Sequence, residues 1–242
     1  LSVSTRVARN VTDTFDRLRI KSFSALPHVR SDIVSYLQGT STPLIRLKTD
    51  YVNQLDGETF YRLSAGYFEE MFGGYSGEVL YRPFGGRFAG GIDLNYVRQR
   101  DFKQLFGFRD YSVWTGHLSV YYDAPYKGLL LQAHMGQFLA GDRGVLFQVS
   151  RLFDSGIRAG AFATITDIPY EIFGEGSFDK GFFLSIPFDL FLLEPTRRSG
   201  GFGFRPLTKD GGQMLSVGPR LYDLTAQGNV NHVVDKWSEV LQ

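Results

Sequence analysis

The chain has 242 residues, with 26 Lys or Arg against 25 Asp or Glu and a net charge of +1, so no charge imbalance points to nucleic acid or to an acidic tail. Cysteine is absent, which excludes a disulfide scaffold, thiolate metal sites and a Cys nucleophile. The length is ample for a core, and the longest stretch free of Asp, Glu, Lys and Arg, from Gly128 to Gly141, falls short of the ~20 mainly apolar residues of a transmembrane helix.

The chain opens at Leu1 in a strand-like run without a signal peptide, as a mature or partial chain would. Leu1–Val7 and Phe15–Phe23 read as strands carrying Arg6, Arg17, Arg19 and Lys21. Pro27–Leu37 reads as a loop or a short helix, and Pro43–Val52 as another strand. From there period-2 alternation dominates. Tyr61, Leu63, Ala65 and Tyr67 alternate with Arg62, Ser64 and Gly66. Phe88, Gly90, Ile92, Leu94 and Tyr96 alternate with Ala89, Gly91, Asp93 and Asn95. Arg100–Tyr111 reads as a longer connection. Trp114, Gly116, Leu118, Val120 and Tyr122 alternate with Thr115, His117, Ser119 and Tyr121, and Leu129, Leu131, Ala133 and Met135 with Leu130, Gln132, His134 and Gly136. Ile157 to Ile165 repeats the pattern around Arg158, and Phe182, Leu184, Ile186 and Phe188 continue it after a connection at Ile168–Ser177. Turn-forming residues separate the runs at Leu55–Gly57, Phe84–Gly86, Pro125–Gly128, Gly141–Gly144 and Asp154–Gly156. Pro195–Gly201 sets off a ragged C-terminal portion. At the very end Val230, Val233, Val234, Trp237, Val240 and Leu241 recur at helical spacing, predicting a short amphipathic helix.

Gly contributes 28 residues, Phe 22 and Tyr 13, a mixture suited to packed hairpins with rings on one face. The alternating runs have the ~9–11 residues that a tilted strand needs to cross a bilayer, and Tyr61, Tyr67, Tyr96, Trp114 and Tyr122 sit near strand ends, where interfacial girdles form. The expected fold is all-β: an antiparallel outer-membrane barrel of about 12 strands over residues 1–224, followed by a helical tail over 225–242. Short turns are expected at one end of it and longer loops at the other. A soluble β-sandwich also alternates, and pattern alone does not say which face is inside.

Several segments resemble the YjbH/GfcD-like outer-membrane family of exopolysaccharide and group 4 capsule secretion. The matching runs are Val29-Arg30-Ser31-Asp32-Ile33 with Tyr36-Leu37, Ala65 to Gly74, Gly77 to Pro83, Val97 to Phe102, Thr115-Gly116-His117, Leu139 to Gly144, Phe173 to Gly181 and Pro206 to Gly212, in order along the chain. The resemblance implies a barrel component of polysaccharide export in the bacterial outer membrane, and a C-terminal part of a longer lipoprotein. It also implies polysaccharide, outer-membrane lipid and small periplasmic or lipoprotein partners, with no catalytic residues to carry over.

The site candidates follow from the polar sets. Arg62, Asp93, Asn95, His117, Gln132, His134 and Arg158 would line the interior, either as satisfied pairs that seal the barrel or as a sugar path. Asp142, Arg143, Glu175, Asp179 and Lys180 are loop candidates for carbohydrate hydroxyls. Val234, Trp237 and Leu241 form an apolar stripe for docking to a partner or a neighbouring domain, or for packing on the chain's own barrel. Glu69 and Glu70 are neighbours and would face opposite sides of a strand, so they do not make a glycosidase pair. Nothing reads as a nucleotide loop, a Ser-His-Asp site or a metal site, so the reading is non-enzymatic and without cofactor. A soluble carbohydrate-binding module and a non-transporting assembly scaffold stay open beside it.

Overall fold

The computed structural model describes residues 1–10, 24–126, 128–169, 178–188, 191, 199–206 and 210–225. Its strands are β1 (Ser2–Val7), β2 (Leu44–Gln54), β3 (Thr59–Tyr67), β4 (Phe72–Tyr81), β5 (Phe88–Arg100), β6 (Phe108–Asp123), β7 (Leu129–Gln137), β8 (Arg143–Leu152), β9 (Arg158–Thr166), β10 (Asp179–Pro187) and β11 (Ser199–Phe204). Helix α1 (Ile33–Gly39) lies between β1 and β2, and α2 (Leu221–Thr225) follows β11. Each strand pairs antiparallel with the next in a single 11-stranded sheet, ordered as in the sequence. The expectation of about twelve strands closed into a barrel is thus corrected to eleven strands that, among the described residues, are not closed. In an unbroken meander all odd-numbered strands run the same way, so β1 and β11 could meet only in a parallel ladder, and among the described residues they are not paired.

Several boundaries differ from the sequence reading. β4 and β8 carry no clean alternation, because Gly73, Gly74 and Gly77 leave gaps in the first and Val145-Leu146-Phe147 run together in the second, yet both are full partners in the sheet. The connection read at Arg100–Tyr111 shrinks to residues 101–107, since β6 begins at Phe108. Arg143 and Gly144 belong to β8 rather than to a turn, and Asp179 and Lys180 open β10 rather than closing a loop. The long 8–43 connection lies at one end of the sheet, but 68–71 and 138–142 at the same end are tight, so the expected asymmetry of turns and loops holds in part. The expected strand Phe15–Phe23 and the expected helix Val230–Leu241 lie outside the described residues; the C-terminal helix that is described is α2.

The two faces of the sheet are reversed relative to a soluble protein. On one face Arg62, Ser64, Glu78, Asp93, Asn95, Thr115, His117, Ser119 and His134 are all 8% exposed or less. On the other, Leu63, Ile92, Leu94, Trp114, Leu118 and Met135 are each at least 55% exposed. The polar face is the inside of a curl. Gln213 donates to Asp179 on β10 at 3.1 Å, while the carbonyl of the next residue, Met214, accepts from Arg30, which also holds Glu69 in the β3–β4 turn. In a flat sheet β4 and β10 would lie roughly 29 Å apart, too far for neighbouring residues to reach. Gly66 and Gly74 face each other across β3 and β4 at φ 132° and 157°, where a Cβ would strike the backbones of Leu47 and Tyr96, so the strands bend together there.

One end of the curl is closed by residues 24–39. Val29 and Tyr36 pack with Phe68, Phe72, Val97, Leu139 and Val217, and burial pushes the Tyr36 phenol up to about 12. Tyr36 donates its hydroxyl to the carbonyl of Arg100 at 2.5 Å. Arg100 itself is fully buried, with its guanidinium fork spent on main-chain carbonyls: Ile45 and Glu69 at 3.1 and 2.8 Å, Leu44, Gln104 and Leu105 at 2.7, 3.0 and 3.3 Å. One cation thereby ties β2, the β3–β4 turn and the β5–β6 connection together. Arg100→Ala strips this bonding from all five carbonyls, of which Gln104 keeps the Leu44 N–H at 3.2 Å, and is expected to destabilise the fold by about 3 kcal/mol or more. Arg100→Lys should rescue little, because an ammonium lacks the planar five-donor fork. Unfolding midpoints in detergent measure both.

His28 sits beside this cap, with Nδ1 2.8 Å from Asp32 and Nε2 3.3 Å from the carbonyl of Ser24. The hydrogen bond to Asp32 raises its pKa above the usual histidine value. A raised folded-state value means the contact stabilises fully below the unfolded pKa of ~6.5 and is lost as pH rises through the folded one. The His28 ring should titrate above a free histidine by NMR, and Asp32→Asn should bring its midpoint down; an unmoved midpoint would contradict the assignment.

Candidate functional site

Period-2 geometry and register place the charges of the covered face in rows. Arg62 on β3 is opposite Glu78 on β4, Glu78 opposite Asp93 on β5, and Asp93 opposite His117 on β6. Arg62 Nη2 donates to Glu78 at 2.6 Å. Asp93 is 3.3 Å from His117 Nδ1 and accepts from Asn95 at 2.8 Å. The adjacent row is neutral, with Ser64, Ser76, Asn95 and Thr115 successively opposite one another. On β2, Lys48 and Asp50 pair at 2.7 Å, and Ser64 donates to Asp50 at 2.6 Å. Toward β7 the charges give way to Ser119 and His134, 2.8 Å apart.

This face is covered by the chain's own residues 210–225. Asp210 accepts from the N–H groups of Arg30 and Ser31 at 2.8 and 2.9 Å. The Gly212 N–H donates to Asp142 at 2.8 Å, and Gln213 is bonded by Arg205 and bonds Asp179. The Ser216 N–H donates to Glu69 at 3.2 Å. The Pro219 carbonyl accepts from Arg62 at 2.5 Å. Arg220 donates to Asp93 at 3.1 Å, the Leu221 N–H to Glu78 at 3.0 Å, and Tyr222 stacks on Tyr121 with ring centroids 4.1 Å apart at 4°. Arg82 lies over the Tyr222 ring at 4.3 Å and donates to its carbonyl at 2.9 Å. Between segment and sheet remains a cavity of about 30 Å³ bordered by Arg62, Asp93, Asn95, His117 and Arg220. That is room for a water molecule, not for a sugar ring.

The seven interior candidates share this face. Arg62, Asp93, Asn95, His117 and His134 are buried, while Gln132 and Arg158 are half-buried. Four of them, Arg62, Asp93, Asn95 and His117, meet around the cavity; His134, Gln132 and Arg158 lie apart from it. Among the loop candidates, Asp142 is buried in the β7–β8 turn, where burial raises its carboxyl above the usual range. Arg143 is exposed and its N–H donates to Asp167 at 2.9 Å. Asp179 is buried against Gln213 and Arg205, and Lys180 is exposed with its ammonium 4.5 Å above the Phe178 ring. These four do not form one site. Glu175, Val234, Trp237 and Leu241 lie outside the described residues. Glu69 and Glu70 fall in the tight β3–β4 turn, and Glu69 is held bidentately by Arg30 at 2.6 and 3.1 Å.

Sequence reasoning missed Arg30, Arg220, Tyr121 and Tyr222. Arg30 and Arg220 lie outside every alternating run, and Arg220 reaches an acid 127 positions away. Two signals were available: Arg30 lies inside the run Val29–Ile33, and Tyr121 alternates on the same face as His117 and Ser119. Removing one member of a buried pair costs more than removing both. Glu78→Ala strands Arg62 and should destabilise by about 3–5 kcal/mol, whereas Arg62→Met with Glu78→Met should recover most of that loss. Thermal unfolding of the single and double variants checks the sign.

Residues 1–227 match the family model described as "Exopolysaccharide biosynthesis protein YbjH". The chain is 42% identical over 226 residues to a protein named "Uncharacterized lipoprotein YjbH" from Escherichia coli (strain K12), covering 92% of this chain and 32% of that protein. No solved structure matches. With the family model covering nearly the whole chain, this sheet and its internal covering segment belong to the YjbH family of exopolysaccharide biosynthesis proteins.

Proposed function

We propose that the chain is an outer-membrane barrel component of exopolysaccharide or capsule secretion, forming or supporting an export path, and that it acts by transport or support rather than by catalysis. The observation that carries this reading is the reversal of the two faces: charges, amides and hydroxyls are covered, while a continuous apolar face is turned outward. In water that arrangement would leave a large apolar patch exposed; in a bilayer it is the expected one. The strands fit the same setting. β2 to β10 have at least 9 residues each, enough to cross when tilted. Rings gather in two levels on the outward face. Tyr75, Tyr96 and Trp114 lie opposite one another near one end, and Phe88 faces Tyr122 near the other. Tyr96 and Phe88 are eight positions apart on β5, about 26 Å along the strand and so roughly 20 Å along the membrane normal at the usual ~35–45° tilt, a little under the ~25 Å apolar band between aromatic girdles.

Family membership supports exopolysaccharide as the process, and the relative's name supports a lipoprotein anchored at a membrane. Polysaccharide, outer-membrane lipid and other secretion proteins are the proposed partners. The sandwich reading fits less well, since the described strands form one sheet rather than two packed on a shared apolar core. A supporting role without polymer contact draws on one specific observation, the cover that residues 210–225 lay over the polar face, leaving about 30 Å³ beside Arg62, Asp93 and His117.

Purified protein should insert into liposomes and show heat-modifiable gel mobility; monodisperse behaviour without detergent would refute the barrel. Leu118 lies midway between the two ring levels, so Leu118→Arg should cost about 2–4 kcal/mol in lipid and almost nothing if that face meets water. Deleting the gene should reduce surface polysaccharide while cytoplasmic precursors persist, and unchanged export would refute the role.

A further inference from the structure

We propose that residues 210–225 hold the place of a saccharide chain: the wall groups this segment occupies form a track for an extended, hydroxyl-rich polymer, with Tyr121 as its stacking platform, and the segment withdraws when polymer enters. The inference rests on the reading of the interior as a polymer path.

The segment follows the track from end to end. Asp210 is tied to Arg30 and Ser31 beside α1, and Tyr222 is held by Arg82 where β4 meets the 82–87 turn, at the opposite end. Along the way the wall grips main-chain atoms. Arg30 and Arg62 donate to the carbonyls of Met214 and Pro219, and Glu69 and Glu78 accept from the N–H groups of Ser216 and Leu221. Donors and acceptors are spaced along a backbone that is irregular over 213–220 and enters α2 at Leu221; they are recognised in place of side-chain shape, and the hydroxyls of a glycan present a comparable row of donors and acceptors. The flat Tyr121 face under Tyr222 is a surface on which the C–H face of a pyranose packs.

Withdrawal leaves two of the wall's ion pairs whole: Glu69 keeps Arg30 and Glu78 keeps Arg62. Asp93 keeps its hydrogen bonds to His117 and Asn95 but gives up Arg220, and Arg82 gives up Tyr222 and Thr225, so in the open state these two groups must be met by water or by polymer hydroxyls. Both signs are present along the track, so its field does not select a polyanion. A neutral glycan is the class it fits.

The test uses the protein in planar lipid bilayers. Arg220→Ala with Tyr222→Ala removes two anchors from the segment and leaves the wall intact. Wild type should conduct little, the variant should conduct at least about tenfold more, and maltoheptaose should block the variant's current. Adding Tyr121→Ala should weaken that block about tenfold, the scale of one stacking contact, and polygalacturonate should block poorly. Conductance unchanged by the variant, or raised but indifferent to maltoheptaose, would overturn the proposal. Should the variant fail to fold, the cysteine-free chain permits a clamp instead. Ala89→Cys and Leu221→Cys lie in one packed cluster, and a short bismaleimide bridging them should abolish export from cells, whereas export at the wild-type rate after bridging would refute withdrawal. A gene deletion that spares export defeats the secretion role, while current and its saccharide block report on the track separately.

Discussion

An ionised side chain taken out of water costs several kcal/mol unless a partner of opposite charge and enough hydrogen bonds replace the solvent, and this sheet turns a whole face of such groups inward. The rest of the architecture answers that constraint. Arg62 and Glu78 satisfy each other across β3 and β4, and Lys48 and Asp50 do so along β2. Asp93 draws on three elements at once, β5 through Asn95, β6 through His117 and the covering segment through Arg220. The covering segment therefore completes the polar network as well as filling space.

The same logic operates at the end of the curl, with backbone groups in place of charges. Tight connections at 68–71 and 101–107 and the start of β2 bring several carbonyls together away from solvent. Arg100 bonds five of them, two on β2 and three in the connections, and residues 24–39 close this end with Val29 and, on α1, Tyr36. A cationic fork, rather than an apolar plug, joins strand ends that are distant in sequence.

Curling and covering also set what the interior offers to a ligand. With residues 210–225 in place, the cavity admits little more than a water molecule. The groups that could meet a polymer are the ones now bonded to the segment's backbone. An apolar outer face and a polar, matched inner face are compatible with one molecule because each strand presents its two faces independently, residue by residue.

That independence explains what was legible in the sequence. Alternation at Tyr61–Tyr67, Phe88–Tyr96, Trp114–Tyr122, Leu129–Gly136 and Ile157–Ile165 determined which side chains share a face, and so put Arg62, Asp93, Asn95, His117, Gln132, His134 and Arg158 together without any structure. Side-chain direction along a strand is covalent geometry and needs no tertiary information. The reading lost β4 where glycines erased the pattern, and ran the β5–β6 connection too long because Phe102, Phe106 and Phe108 are scattered among charges. Which face is covered, that Arg220 and Arg30 supply the missing cations, and that Tyr222 lies on Tyr121 were decided only by the tertiary structure. Arg220 reaches Asp93 127 positions away and Arg30 reaches Glu69 39 positions away, both from segments with no periodicity of their own, and pairing at such range depends on how the sheet curls, which no local pattern encodes.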